Sequence, residues 1–141
     1  MTRDLTAKNN QQSIDQTIYA LQQKTRGLIF SNLVDFDMLY GHRRDTEGYA
    51  RAMEHFDSRL PEIEAAMRED DLVVITADHG NDPTYPGTDH TREYAPLIVY
   101  GKRARAVDLG TRQSLSDIGQ TIAENFDLKL TAGESFLSEI R

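Results

Sequence analysis

The sequence predicts a layered α/β/α fold with a mostly parallel sheet. Two observations carry this expectation: strand-length apolar runs alternate with helical periodicity, and acids and histidines collect in strand-exit or inter-strand loops. The first pattern is that of strand–helix units packed in layers. The second matters because open α/β sheets bind ligands at the carboxyl ends of their strands.

Residues 1–12 are polar and read as a lead-in. Ser13 with Gln16 three positions on forms a capping box for a short helix carrying Ile14, Ile18 and Leu21. Residues 1–26 are thus a lead-in and short helix, and residues 27–141 form the body of the domain. The run at 27–34 is almost wholly apolar, the pattern of a strand buried on both faces of a parallel sheet. A polar segment, 35–44, follows. From Asp45 or Thr46 a helix carries Tyr49, Met53, Phe56, Leu60, Ile63 and Met67 on one face. Pro61 is expected to kink or restart it, with Asp57 or Ser58 as a second cap. Residues 72–77 and 96–100 are two further buried-strand signals, separated by a long loop at 78–94. Ser116 then caps a helix to about Phe126, and a short helix spans 134–140.

Bulk properties narrow the partners. The chain has 141 residues, enough for one domain that buries about two thirds of its unfolded surface. Its net charge is −7 with scattered basic residues, so binding to nucleic acid through phosphate neutralisation has little to draw on. No apolar run approaches the roughly 20 residues that cross a bilayer. Cysteine is absent, which leaves only oxygen and imidazole ligands for a metal and is compatible with a reducing cytosol. Residues 1–5 lack the apolar core of a signal peptide, so a cytoplasmic location is expected.

Asp35, Asp37 and His42 follow the first apolar run. Asp78 and His79 follow the second, and Asp89 and His90 precede the third. Neutral imidazoles with carboxylates suit Zn, Mn or Fe, at about 2.0–2.2 Å for zinc. Five such groups, Asp37, His42, Asp78, His79 and His90, are enough for one closed site and part of another. Alternation along a strand would send Asp78 and His79 to opposite sides, and Gly80 permits the turn that lets them share a site. Singly, each group has an ordinary reading: Asp35-Phe36-Asp37 as a turn, Asp78-His79-Gly80 as a strand ending, His90-Thr91 as a capped loop. His55, inside the long helix and off its apolar face, reads as a solvated residue. The joint placement of the other three histidines in loops is what points to a metal.

The segment Asn32-Leu33-Val34-Asp35-Phe36-Asp37-Met38-Leu39-Tyr40-Gly41-His42-Arg43-Arg44-Asp45 resembles the metal-binding segment of bacterial phosphopentomutases. Thr76-Ala77-Asp78-His79-Gly80-Asn81-Asp82-Pro83 and Gly87-Thr88-Asp89-His90-Thr91-Arg92-Glu93 follow in that family's order. The middle block alone indicates only the alkaline phosphatase superfamily; the flanking blocks narrow it. The similarity runs from about Gly27 to Phe126.

The resemblance implies a two-manganese enzyme of nucleoside salvage that interconverts pentose 1-phosphate and pentose 5-phosphate through a phosphorylated threonine. Carried over, Asp37, His42 and His90 hold one ion, and Asp78 and His79 hold the other. Asp35 and Asp89 are candidates to orient ligand histidines. Arg43 and Arg44 are candidates for phosphate contact, with a local ion pair to Asp45 as the plainer reading. The family also uses an N-terminal segment, with a further aspartate ligand and the nucleophilic threonine, and a cap domain that holds the sugar phosphate. No stretch here matches either, and Thr76, Thr88 and Thr91 do not correspond to the phosphorylated position. The chain therefore resembles the C-terminal part of the core, with no catalytic nucleophile of its own. Its expected partners are the pentose phosphate and the remaining half or cap of the enzyme. Two other readings share the ligands: a non-catalytic metal-binding or interaction module, and a related enzyme such as a phosphatase or cofactor-independent phosphoglycerate mutase.

Overall fold

The computed structural model describes residues 3–141, so Met1 and Thr2 of the expected lead-in lie outside the described residues. The chain divides into two compact units: Met1–Arg68 with His79–Ala95, and Glu69–Asp78 with Pro96–Arg141.

The first unit is built on two helices. Helix α1, Asn10–Gln22, begins before Ser13, because the Asn9 side chain caps it by accepting from the Gln12 N–H at 2.9 Å. Asn is as good a cap as Ser, and the polar stretch between them does not oppose helix. Helix α2, Thr46–Ala66, packs against α1, with Ile14 and Ile63 buried in this unit. Asp45 caps α2 through the Gly48 N–H at 2.8 Å. The helix runs through Pro61 without restarting; the Ser58 hydroxyl, expected as a second cap, instead donates back to the His55 carbonyl at 2.7 Å. His55 is exposed, as its position off the apolar face implies. Arg59 of α2 reaches Asp15 of α1 at 2.9 Å.

Between the helices, Phe36–Gly41 forms one π-helical turn that the sequence pattern did not announce. The His42 N–H donates to the Asp37 carbonyl and the Asp45 N–H to the Tyr40 carbonyl, both at 3.0 Å. Such turns often accompany functional sites. The turn is fastened to α1 by a reciprocal pair: the Asn10 N–H donates to the Asp35 carboxylate at 2.8 Å, and the Asp35 N–H to the Asn10 carboxamide at 2.9 Å. A carboxylate there also meets the positive end of α1. The Phe36 ring tilts against Tyr49 of α2 with centroids 5.4 Å apart.

The run at 27–34 is not a strand, which corrects the expectation for it. Leu28, Ile29 and Phe30 are 60%, 41% and 86% exposed. A doubly buried strand exists only where neighbours complete its ladder on both edges. Among the described residues none does so.

In the second unit, β1, Val73–Thr76, pairs with β2, Leu97–Tyr100, in the register Val73 opposite Tyr100 through Thr76 opposite Leu97. The pairing is antiparallel, so the mostly parallel sheet expected from sequence is replaced, among the described residues, by one two-stranded antiparallel ladder. Runs of Val and Ile announce burial rather than direction, and the connection between these strands is a loop rather than a crossover helix.

Helix α3, Ser116–Asn125, and the single turn α4, Leu137–Ile140, complete this unit. Its packing centre is Phe136, which is 0% exposed, with Ile140 and Ala123 also buried. A polar clasp joins α3 to the C-terminal segment. Asp117, 4% exposed, accepts from the Glu134 N–H at 2.9 Å and from Arg112 at 3.1 Å, while the Thr121 hydroxyl accepts from the Phe136 N–H at 3.0 Å. The Glu134 N–H above all, aided by Arg112 and opposed by burial, holds the Asp117 carboxyl below its ordinary pKa. No helix among the described residues is long and apolar enough to cross a membrane.

Two outcomes follow. Phe136→Ala removes a fully buried ring and is expected to cost about 3–5 kcal/mol in urea unfolding. Folding lowers the Asp117 pKa, so its contribution is complete above the ordinary carboxylate range near about pH 4 and is lost as pH falls through the lower folded value. Asp117→Asn is therefore expected to lower stability at pH 7 and to flatten the acid limb of stability against pH; an unchanged acid limb would contradict the role given to this carboxylate.

Candidate metal centre

The loop that separates the strands folds back on itself. Gly80 and Thr91 form an isolated antiparallel bridge, in which the Thr91 N–H donates to the Gly80 carbonyl at 3.3 Å. A side chain at Gly80 would sit 2.0 Å from the Glu93 carbonyl oxygen, so the close approach requires glycine. The Thr91 hydroxyl accepts from the Asp82 N–H at 2.6 Å. The Asp82 carboxylate in turn accepts from the Thr84 N–H and hydroxyl, which hold its pKa below the ordinary value with help from the Arg44 charge and against burial. The bridge sets His79 and His90 side by side: their rings stack with centroids 3.6 Å apart and planes at 20°.

The π-helical turn supplies the other groups, since its wider winding presents Asp37 and His42 to the same place. His42 Nε2 lies 3.3 Å from one Asp37 carboxylate oxygen. His90 Nε2 and His79 Nε2 lie 3.2 and 3.8 Å from the other. The His42 and His90 rings are 4.8 Å apart. Asp37, His79 and His90 each offer a ligand atom within 4.8 Å of the others. All four side chains are partly exposed, so the cluster is open to solutes.

The donor set fits a divalent cation on two grounds. Two ligand atoms about 2.0–2.2 Å from one ion lie roughly 2.8–3.6 Å apart at octahedral to tetrahedral angles. The contacts from Asp37 to His42 and His90 fall in this range, and that to His79 just outside it. The second ground is the tautomers. His42 Nδ1 faces the Thr88 carbonyl, and His79 Nδ1 faces the Gly80 carbonyl at 3.1 Å. A carbonyl only accepts, so Nδ1 carries the hydrogen in both rings, and Nε2, the atom that faces the carboxylate, is the one open to a cation when the ring is neutral. Converging acceptors repel unless a cation lies among them, and backbone carbonyls behind ligand histidines are the usual support of metal sites.

Asp78 belongs to the second unit, at the end of β1, whereas His79 belongs to the first. Asp35, considered as an orienting acceptor for a histidine, is turned instead to the Asn10 N–H of α1. Asp89 is exposed and takes part through its carbonyl, which accepts from Arg44. Arg44, considered for phosphate contact, is committed to loop carbonyls and Asn81, so its donors are turned into the protein. Arg43 is exposed beside His42. Thr88 enters through its carbonyl and Thr91 through its bridge.

Sequence reasoning passed over two residues at the cluster. Asn81 donates to Asp37 at 3.4 Å; its amide lies 2.1 Å from where a side chain at Gly41 would begin, so the Gly41 that precedes His42 was the one available signal. Tyr49 lies close enough that Asp37's charge adds to burial, the larger effect, in raising the pKa of its hydroxyl.

A family model described as the metalloenzyme superfamily matches residues 1–130. The chain is 52% identical to a phosphopentomutase of Clostridioides difficile (strain 630), over 99% of this chain and 36% of that protein. It is 54% identical to one of Symbiobacterium thermophilum, over 100% of this chain and 36% of that protein. With one of Clostridium kluyveri it shares 56% identity, over 92% and 33%. The chain thus spans about a third of the length of the curated relatives it matches.

Asp37 touches all three imidazoles, so Asp37→Ala is expected to weaken Mn2+ or Zn2+ binding more than about 100-fold in calorimetric titration, beyond the 10–100-fold typical of a supporting residue. His55→Ala serves as the control and leaves binding unchanged; equal affinities in the two variants would remove the metal assignment.

Proposed function

This chain belongs to the metalloenzyme superfamily, and we propose that its histidine–carboxylate cluster is the metal-holding share of a phosphopentomutase. The reaction is the interconversion of (deoxy)ribose 1-phosphate and (deoxy)ribose 5-phosphate, as part of nucleoside salvage in the cytoplasm. One observation carries the reading: the Asp37 carboxylate meets the Nε2 atoms of His42 and His90, and the outer nitrogen of His42 is fixed by a carbonyl.

Asp37, His42 and His90 are assigned to one ion, and Asp78 with His79 to a second. This division rests on the relation to the family. Two divalent ions, manganese by relation to the family, would supply positive charge that offsets the negative charge of the transferred phosphoryl group. The residues of this chain hold that charge in place. The Thr88 and Gly80 carbonyls accept from Nδ1, so a neutral ring offers Nε2 as its ligand atom. Tyr49, its pKa raised, keeps its proton and adds no negative charge beside Asp37. Arg43, exposed next to His42, is assigned as a group that meets a phosphate oxygen.

No residue of this chain is assigned as nucleophile. The phosphorylated threonine, a further aspartate ligand and the sugar-binding groups are assigned to the remainder of the enzyme, which is the partner this reading requires. The 141-residue chain alone is expected to show no conversion of ribose 1-phosphate. Mixing it with the complementary part of a relative and Mn2+ is expected to restore conversion. Turnover by the chain alone refutes the division of labour. Mn2+ binding without restored turnover favours the non-catalytic module instead.

A further inference from the structure

We propose that Arg44, together with Asn81, is a positioning residue of the metal centre, setting the tautomer of His42 and the aim of Asp37; the metal part of this inference rests on the metal-holding function proposed above. Arg44 lies two residues past His42, and its backbone is left-handed, with φ of 56°, a region that non-glycine residues rarely enter. That conformation turns its side chain to acceptors drawn from three stretches of chain. Nη1 donates to the Asn81 carboxamide oxygen at 3.1 Å, the Asp82 carbonyl at 3.0 Å and the Gly41 carbonyl at 3.3 Å. Nε donates to the Gly87 carbonyl and Nη2 to the Asp89 carbonyl.

Two consequences follow from where these acceptors sit. Gly87 and Asp89 flank Thr88, whose carbonyl accepts from His42 Nδ1. Holding both neighbours fixes that carbonyl, and with it the nitrogen of His42 that stays bare. The second consequence runs through Asn81. Arginine only donates, so its partner on Asn81 is the oxygen, and the NH2 group is left to face Asp37 at 3.4 Å. That N–H gives the carboxylate an orienting contact from behind, in space left open by Gly41. Lysine carries no planar fork of donors and cannot gather five acceptors, so the conservative replacement keeps the charge and loses the brace.

The test uses the full 141-residue chain, with nitrogen-15 spectra of the imidazoles in the absence of metal, recorded where the rings are neutral, and Mn2+ titrations alongside. In the unsubstituted chain His42 is expected as the Nδ1–H form. Arg44→Lys is expected to move His42 toward the Nε2–H form and to weaken Mn2+ binding about 10–100-fold. Asn81→Ala is expected to leave the His42 tautomer alone and to weaken Mn2+ binding about 10-fold. A merely structural arginine would shift the melting temperature and neither of these readouts. If Arg44→Lys keeps both the Nδ1–H form and the original affinity, the proposal is overturned. Loss of the tautomer in a chain that binds no Mn2+ with or without the substitution supports the brace and overturns the metal-holding function. Should Arg44→Lys unfold, Asn81→Ala decides, and unchanged Mn2+ affinity there overturns the proposal.

Discussion

The single backbone bridge between Gly80 and Thr91 is the constraint on which the site depends. It joins two points eleven residues apart in a loop that has no regular strand or helix of its own, and it does so with one hydrogen bond and a contact that only glycine permits. Without it, His79 and His90 would be independent loop residues with no reason to stack. With it, a carboxylate from the π-helical turn has two imidazoles waiting opposite. Asp82, Thr84 and Thr91 add local hydrogen bonds that keep the loop from opening.

The π-helical turn is the other half of the arrangement, and it is held at both ends. Asp35 fastens its start to the first turn of α1, and Arg44 fastens its end to the folded loop. An extra residue per turn costs hydrogen-bond geometry, and such a turn persists where the surroundings hold it. The two helices pack together, with Ile14 and Ile63 buried, and give Asp35 and Tyr49 fixed positions from which to do so. The unit thus combines apolar packing of its helices, polar fastening of the π-helical turn and a partly exposed histidine–carboxylate cluster.

Much of this was legible in the sequence, for an identifiable reason. Acids and histidines in loops carry no packing duty, so their joint placement marked Asp37, His42, Asp78, His79 and His90, and of these five the structure brings Asp37, His42, His79 and His90 together. The helices were legible from their periodicity, to within a few residues at α1. The strand direction was not, since Leu97 to Tyr100 is equally apolar whichever way its partner runs. The run at 27–34 misled for a related reason: apolarity states a demand for burial and does not say what meets it. Arg44 and Asn81 were hidden for a different one. Their partners are mainly backbone carbonyls, which every residue possesses, so the sequence holds almost no trace of the network.

Gly41 and Gly80 carry no side chain, yet each stands where a single methyl group would collide with a part of the cluster's support. Substitution at either would leave the ligand set intact on paper and separate it in space. In a survey of tolerated changes these two positions would therefore score with Asp37 and the clustered histidines rather than with the loop around them. Chemical function here imposes selection on residues that have no chemistry of their own, and their constraint is a matter of excluded volume.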